Sequence, residues 1–86
     1  MSTRNKSKPL DPIEQKKRLG ARLRQLRKKL GYTSAEKFAN DNQFSRPTYG
    51  KYEQGKPELN IEYDTLIRLA NSFGISLKEF FSEGFD

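Results

Sequence analysis

Apolar positions fall at helical spacing in five short blocks, separated by polar and glycine-bearing segments. Leu19, Leu23, Leu26 and Leu30 recur at steps of four, three and four. That places them on one stripe of a helix, with Arg and Lys around the rest. Ahead of the stripe, Asp11-Pro12-Ile13-Glu14 is a helix start: Asp11 caps, Pro12 suits the first helical position, and Glu14 sits three after the cap. Gly31 is the natural stop. A second helix begins at Thr33 or Ser34, two equally suitable caps, and buries Ala35, Phe38 and Ala39. It fades into the polar run Asn40-Asp41-Asn42-Gln43, suited to a turn.

The third block has Ser45 as its cap and Pro47 in the first turn, where a missing N–H costs little. Phe44 and Tyr49 sit at the two positions of a hydrophobic staple. Tyr49 and Tyr52 face the core, and Gly55 is available for a left-handed C-terminal residue. One face of this short helix is aromatic; the other carries polar groups and two cations. A fourth helix begins between Asn60 and Asp64, buries Leu66, Ile67, Ala70 and Phe73, and closes at Gly74. The fifth is short, with Ser76-Leu77-Lys78-Glu79 as a capping box and Ile75 with Phe80 as a staple pair. There is no strand signal of useful length and no internal repeat. The pattern predicts an all-α fold of five short helices around one core.

Composition narrows what such a fold can do. Eighty-six residues make one small domain. Hydrophobic and charged residues are each 33% of the chain, so its core leans on six Phe, four Tyr and the leucines. Met1 to Pro9 is rich in Ser, Asn and Lys and is expected to be disordered. Residues 1–10 are therefore read as a flexible basic arm and residues 11–86 as the folded domain. The chain has no Cys and no His. That removes cysteine nucleophiles, disulfides, imidazole bases and most zinc sites. With no acid–base or metal constellation visible, the expectation is a binding protein, with no catalytic residue, metal or cofactor. No apolar run approaches the roughly 20 residues that span a bilayer. The charged N-terminus is not followed by the apolar stretch of a secretory signal. A soluble cytoplasmic protein, associated with the nucleoid, is expected.

The net charge of +6 is unevenly placed. Through Gly31, eleven cations face only Asp11 and Glu14, for +9; the rest of the chain carries −3. A basic front half points to an oriented contact with a polyanion. A basic amphipathic helix also fits a membrane surface, but the stripe is narrow and the later helices offer it a core.

The order and spacing of several segments resemble the Cro/phage-repressor class of helix-turn-helix proteins, the XRE-type family. The matching pieces are Leu19-Gly20-Ala21-Arg22-Leu23-Arg24-Gln25-Leu26-Arg27, Gly31-Tyr32-Thr33, Phe38-Ala39, Phe44-Ser45-Arg46 and Tyr52-Glu53-Gln54-Gly55-Lys56. Leu66-Ile67-Arg68-Leu69-Ala70 and Gly74-Ile75-Ser76-Leu77-Lys78-Glu79-Phe80-Phe81 complete the likeness, from about Leu19 to Phe81. The resemblance implies a five-helix lambda-repressor-like domain whose third helix, residues 45–54, reads bases from its N-terminal half. Onto this chain that maps Arg46, Pro47, Thr48, Gly50 and Lys51, with Arg46 as the first candidate for a bidentate guanine contact and Lys51 as the second. Phosphate contacts are implied at Ser34, Ser45, Tyr49, Gln54 and Lys56. Arg27 and Glu53 are implied to form an ion pair tying the first helix to the third. The arm residues Arg4, Lys6 and Lys8 resemble the N-terminal arm of phage repressors and are expected to follow the DNA backbone.

Two departures stand out. The family usually has Gly in the turn between the second and third helices, where this chain has Gln43. The segment from Gly31 to Phe38 is one residue longer than usual.

The resemblance implies a double-stranded-DNA-binding regulator, a repressor acting as a homodimer, with Leu77, Phe80, Phe81 and Phe85 as the dimer surface. An antitoxin, or a prophage or restriction-modification control protein, shares this DNA chemistry; its acidic, Phe-rich tail would dock a protein partner such as a toxin. A protein-interaction module with no DNA role is the third reading. No small-molecule ligand is implied.

Overall fold

The computed structural model describes residues 9–86, and among them five helices and no strand: α1 (Pro12–Lys29), α2 (Ala35–Asp41), α3 (Arg46–Gln54), α4 (Tyr63–Phe73) and α5 (Leu77–Phe80). The all-α, five-helix expectation holds. The expectations for Arg4, Lys6 and Lys8, and for disorder of the arm, lie outside the described residues.

The helix ends follow side-chain chemistry. Asp11 caps α1 by accepting from Ile13 N, with Pro12 in the first position. Of the two candidate caps for α2, Ser34 serves: its Oγ accepts from Lys37 N at 3.1 Å. Ser45 caps α3 from Thr48 N, and Ser76 caps α5 from Glu79 N at 3.0 Å. Phe44 and Tyr49 form the staple, ring centroids 6.1 Å apart. α1 runs to Lys29, and Gly31, the expected stop, turns the chain away at φ +94°. Leu30 is its C-terminal cap, so the last leucine of the stripe points away from the core and is 48% exposed.

The core is Leu23, Leu26, Phe38, Ala39, Tyr49, Leu69, Ala70, Phe73 and Phe80. Phe38 is its hub, stacked on Phe73 at 4.9 Å and tilted against Tyr49 at 5.0 Å, with the Tyr32 edge at 5.4 Å. On α4 the fully buried leucine is Leu69, while Leu66 and Ile67 are half-buried. Both sets satisfy helical spacing because α4 is apolar over a wide arc.

α3 packs on both α1 and α2, and glycines bring it close to α1. A Cβ at Gly20 would lie 2.5 Å from the Glu53 carbonyl oxygen, and one at Gly55 would lie 2.8 Å from the Lys17 Cα. Gly55 also adopts φ +65°, which ends α3. The seam is then locked by charge. Arg27 Nε and Nη2 donate to the two Glu53 carboxylate oxygens at 2.7 and 3.1 Å, with both side chains buried. This is the ion pair that the resemblance implied. Arg27 Nη1 also donates to the Tyr32 carbonyl, anchoring the loop before α2.

A second buried arginine ties down the other end of the chain. Arg22 donates through Nε to the Phe80 carbonyl at 2.7 Å and through Nη2 to the Glu79 carbonyl at 2.8 Å. Its Nη1 reaches Gln25 and Glu83. Arg18 Nη1 donates to the Gly84 and Asp86 carbonyls. The acidic tail, the docking site in the antitoxin reading, is thus folded back along α1.

Candidate nucleic-acid interface

α2 and α3 are joined by a tight turn, and the turn sets the aim of α3. Gln43, where the family usually has Gly, takes a left-handed φ of +64°. That conformation is costly for a residue with a side chain, so neighbouring contacts must hold it. Phe44 N donates to the Ala39 carbonyl at 2.8 Å, and Arg68 of α4 donates through Nη2 to the Gln43 carbonyl at 3.1 Å. The Arg68 guanidinium also lies over the Phe44 ring, 4.3 Å from its centroid. Arg68 therefore braces the turn from outside.

From that turn α3 presents two unlike faces. Tyr49 and Glu53 are buried and Tyr52 is half-buried. Arg46, Pro47, Thr48, Lys51 and Gln54 are exposed, and Gly50 is half-buried with nothing within 4 Å of where a Cβ would be. At 100° per residue, Pro47, Lys51 and Gln54 fall opposite the buried side with Gly50 beside them, while Arg46 lies on the flank nearer Glu53 and is exposed at the N-terminus of α3. Among the described residues, the side chains of Arg46, Thr48, Lys51, Gln54 and Lys56 make no hydrogen bond or ion pair. Gly50 makes no close approach to α2, so its small size leaves an open spot on the outer face.

Four of the five residues carried over as phosphate contacts lie at or near the surface: Ser45, Gln54 and Lys56 are exposed, and Ser34 is half-buried. The fifth is corrected. Tyr49 is wholly buried, 0% exposed, and its hydroxyl has no hydrogen-bond partner among the described residues. No phosphate can reach it. Burial pushes its phenol pKa well above the ordinary value, and the neighbouring Glu53 carboxylate adds to the shift.

The expected dimer surface is also corrected in one residue. Phe80 is 0% exposed and belongs to the monomer core, where the staple geometry of α5 directs it. Phe81 is 41% exposed, while Leu77 and Phe85 are half-buried. Phe81 and Phe85 pack edge to face at 5.0 Å.

Three features beside the site carry no local signal in the sequence: the Gly20 contact, the Arg22 anchor and the Arg68 brace. A fourth is a groove of about 560 Å³ flanking α3, between the start of α1, the loop after α3 and the tail. No group of three or more acidic residues among the described residues is placed to hold a metal ion. No helix there is long and apolar enough to cross a membrane.

A short capped helix held by its back on a core, with an unpartnered polar and cationic front after a tight turn, defines a helix-turn-helix DNA-binding protein. Residues 20–83 match the family model described as a helix-turn-helix domain, and the chain belongs to that family. Neither the curated proteins nor the solved structures gave a match.

Proposed function

We propose that the protein is a sequence-specific regulator of the Cro/phage-repressor type, which represses transcription by binding double-stranded DNA as a dimer. The observation that carries this reading is the exposed side of α3: Pro47, Gly50, Lys51 and Gln54 on its outer face and Arg46 at its N-terminus, with no partner among the described residues. A helix presented in this way fits a major groove. Arg46 pairs with the O6 and N7 of a guanine, and Lys51 makes a second base contact. Thr48 meets a thymine methyl or a phosphate, and Pro47 makes an apolar contact. Gly50 lets the backbone approach the bases.

Ser34 and Ser45 each accept a backbone N–H as caps. Their hydroxyl protons remain free to donate to phosphate oxygens. Gln54 and Lys56 bind phosphates at the far end of α3, and Arg4, Lys6 and Lys8 follow the backbone from the arm, residues 1–10. The domain proper is residues 11–86. Leu77, Phe81 and Phe85 supply the dimer surface, with Phe81 as its most exposed aromatic.

Selection of binding sites from a random duplex pool, with wild type beside Arg46→Ala and at two salt concentrations, tests the proposal. An enriched inverted repeat is expected, with one base preference lost per half-site in the variant. Binding without enrichment, abolished by salt and indifferent to the substitution, would reduce the face to a basic patch and overturn it.

A further inference from the structure

The groove beside α3 has the size and lining of a small-molecule site. Its 560 Å³ lies within the usual range for such pockets, roughly 300–1,000 Å³. Leu19, Tyr52, Leu59, Ile61 and Leu66 form apolar walls from α1, α3, the following loop and α4, and Phe81, which the proposed dimer surface shares, adds one from the tail. Its border is charged with one sign: Lys16, Lys51 and Lys56 line it, and no Asp or Glu does. Lys16 Nζ spends one proton on the Pro57 carbonyl at 2.6 Å, which fixes the loop and leaves two for a ligand. An apolar hollow with a cationic rim matches a molecule with an apolar body and an anionic head. The arm of this chain does not match: between Met1 and Pro9 it carries Arg4, Lys6 and Lys8, no acid and one apolar residue.

We propose that this groove binds an amphipathic carboxylate, its apolar body against Leu59, Ile61 and Leu66 and its carboxylate among Lys16, Lys51 and Lys56. Two of those lysines, Lys51 and Lys56, are the ones assigned above to a base and a phosphate. Ligand and DNA therefore compete for the same cations, and the carboxylate acts as an inducer that weakens DNA binding. By linkage, DNA weakens the carboxylate by the same factor. The competition, though not the binding site, rests on the DNA reading of α3.

Calorimetric titration of the full chain with sodium decanoate below its micelle concentration tests the site, with decylammonium as the cationic control. Saturable one-to-one binding of decanoate is expected, with decylammonium about tenfold weaker or more. Amide resonances of Leu19, residues 59–66 and residues 81–85 should shift together in the wild-type protein. Leu59→Trp fills the groove and should abolish decanoate binding while leaving affinity for a selected duplex unchanged in the absence of decanoate; a thermal melt checks its fold. Equal binding of both amphiphiles, or shifts spread over the surface, overturns the proposal. So does a dimer that Leu59→Trp dissociates and decanoate does not enter, since a second copy would then occupy the groove. Saturating decanoate should weaken duplex binding about fivefold or more. If decanoate binds as expected and duplex affinity is unchanged, the competition through Lys51 and Lys56 is wrong and the site stands. If wild type binds no duplex, the DNA reading fails, and the titration still decides the groove.

Discussion

The two faces of α3 are built on opposite terms. The back has no slack: Tyr49 is fully enclosed, Glu53 is gripped by Arg27, and Gly20 and Gly55 let α1 approach within a distance that a methyl group would violate. Among the described residues, the front, with Arg46, Pro47, Lys51 and Gln54, has almost nothing attached to it. The back needs particular residues to hold α3 in one orientation, and on the proposed reading the front is left unpaired for DNA. Substitutions behind α3 should therefore cost stability, and substitutions in front should cost binding.

The largest effect is expected from Glu53→Ala. Removing one partner of a buried ion pair leaves Arg27 enclosed without a counter-charge, which costs about 3–5 kcal/mol. In a domain of this size, urea unfolding should show the protein largely or wholly unfolded at 37 °C. Loss of less than about 1 kcal/mol would mean that Arg24, 3.8 Å from Glu53, and solvent share the load. Gly20→Ala comes next. Its methyl group meets backbone rather than a movable side chain, so α1 and α3 must separate, at about 1–3 kcal/mol. Because α3 would tilt, duplex affinity should fall as well, even under conditions where the variant is folded.

Gln43→Gly tests the turn that aims α3 and should act in the opposite direction. Glycine relieves the left-handed strain of about 1–2 kcal/mol and loses part of that gain through its freer unfolded chain. A net rise in melting temperature is expected, with DNA specificity unchanged. A fall would show that the Gln43 side chain contributes something its backbone angle does not reveal.

The smallest effect is expected from Tyr49→Phe. The buried hydroxyl has no partner among the described residues, so its removal should cost no stability at neutral pH, should give at most a gain of about 1 kcal/mol, and should leave DNA affinity intact. The pH dependence gives a sharper reading. The folded phenol is raised above the ordinary value near 10, so the unfolded chain releases this proton first. Stability is full below pH 10 and declines as pH rises beyond it. Tyr32, held by a hydrogen bond to Asp41, acts in the same direction. Tyr49→Phe should reduce the slope of melting temperature against pH above 10. An unchanged slope would place that titration elsewhere.

Much of the back was legible in the sequence because it is written locally. Asp11, Ser45, Ser76 and Gly55 are recognisable from their own neighbourhoods, while Gln43 stood out only as a departure from the usual glycine, and the structure shows its backbone angle. Thr33 and Ser34 were indistinguishable because both offer a hydroxyl at the start of α2, and only backbone geometry selects Ser34. The adjacent Phe80 and Phe81 look alike in sequence, yet one register position puts the first in the core and the second on the surface. Arg22 lies in a helix full of arginines, and its partners are carbonyls 57 and 58 residues away. Gly20 showed only a helical glycine, without the carbonyl it faces. The groove draws its walls from five segments whose meeting no periodicity encodes. Tyr49 illustrates the limit of resemblance: the aligned position implied a phosphate contact, while the staple with Phe44 already required burial.

The most direct test of the account measures stability and duplex affinity together for Arg46→Ala, with Lys78→Ala on α5 as a control. Arg46→Ala should melt with wild type and lose about 1–3 kcal/mol of binding free energy, concentrated at one base position of each half-site. Lys78→Ala should match wild type in both. If Arg46→Ala binds the selected duplex like wild type, or weakens every sequence equally, α3 does not read bases through that residue and the central claim is wrong.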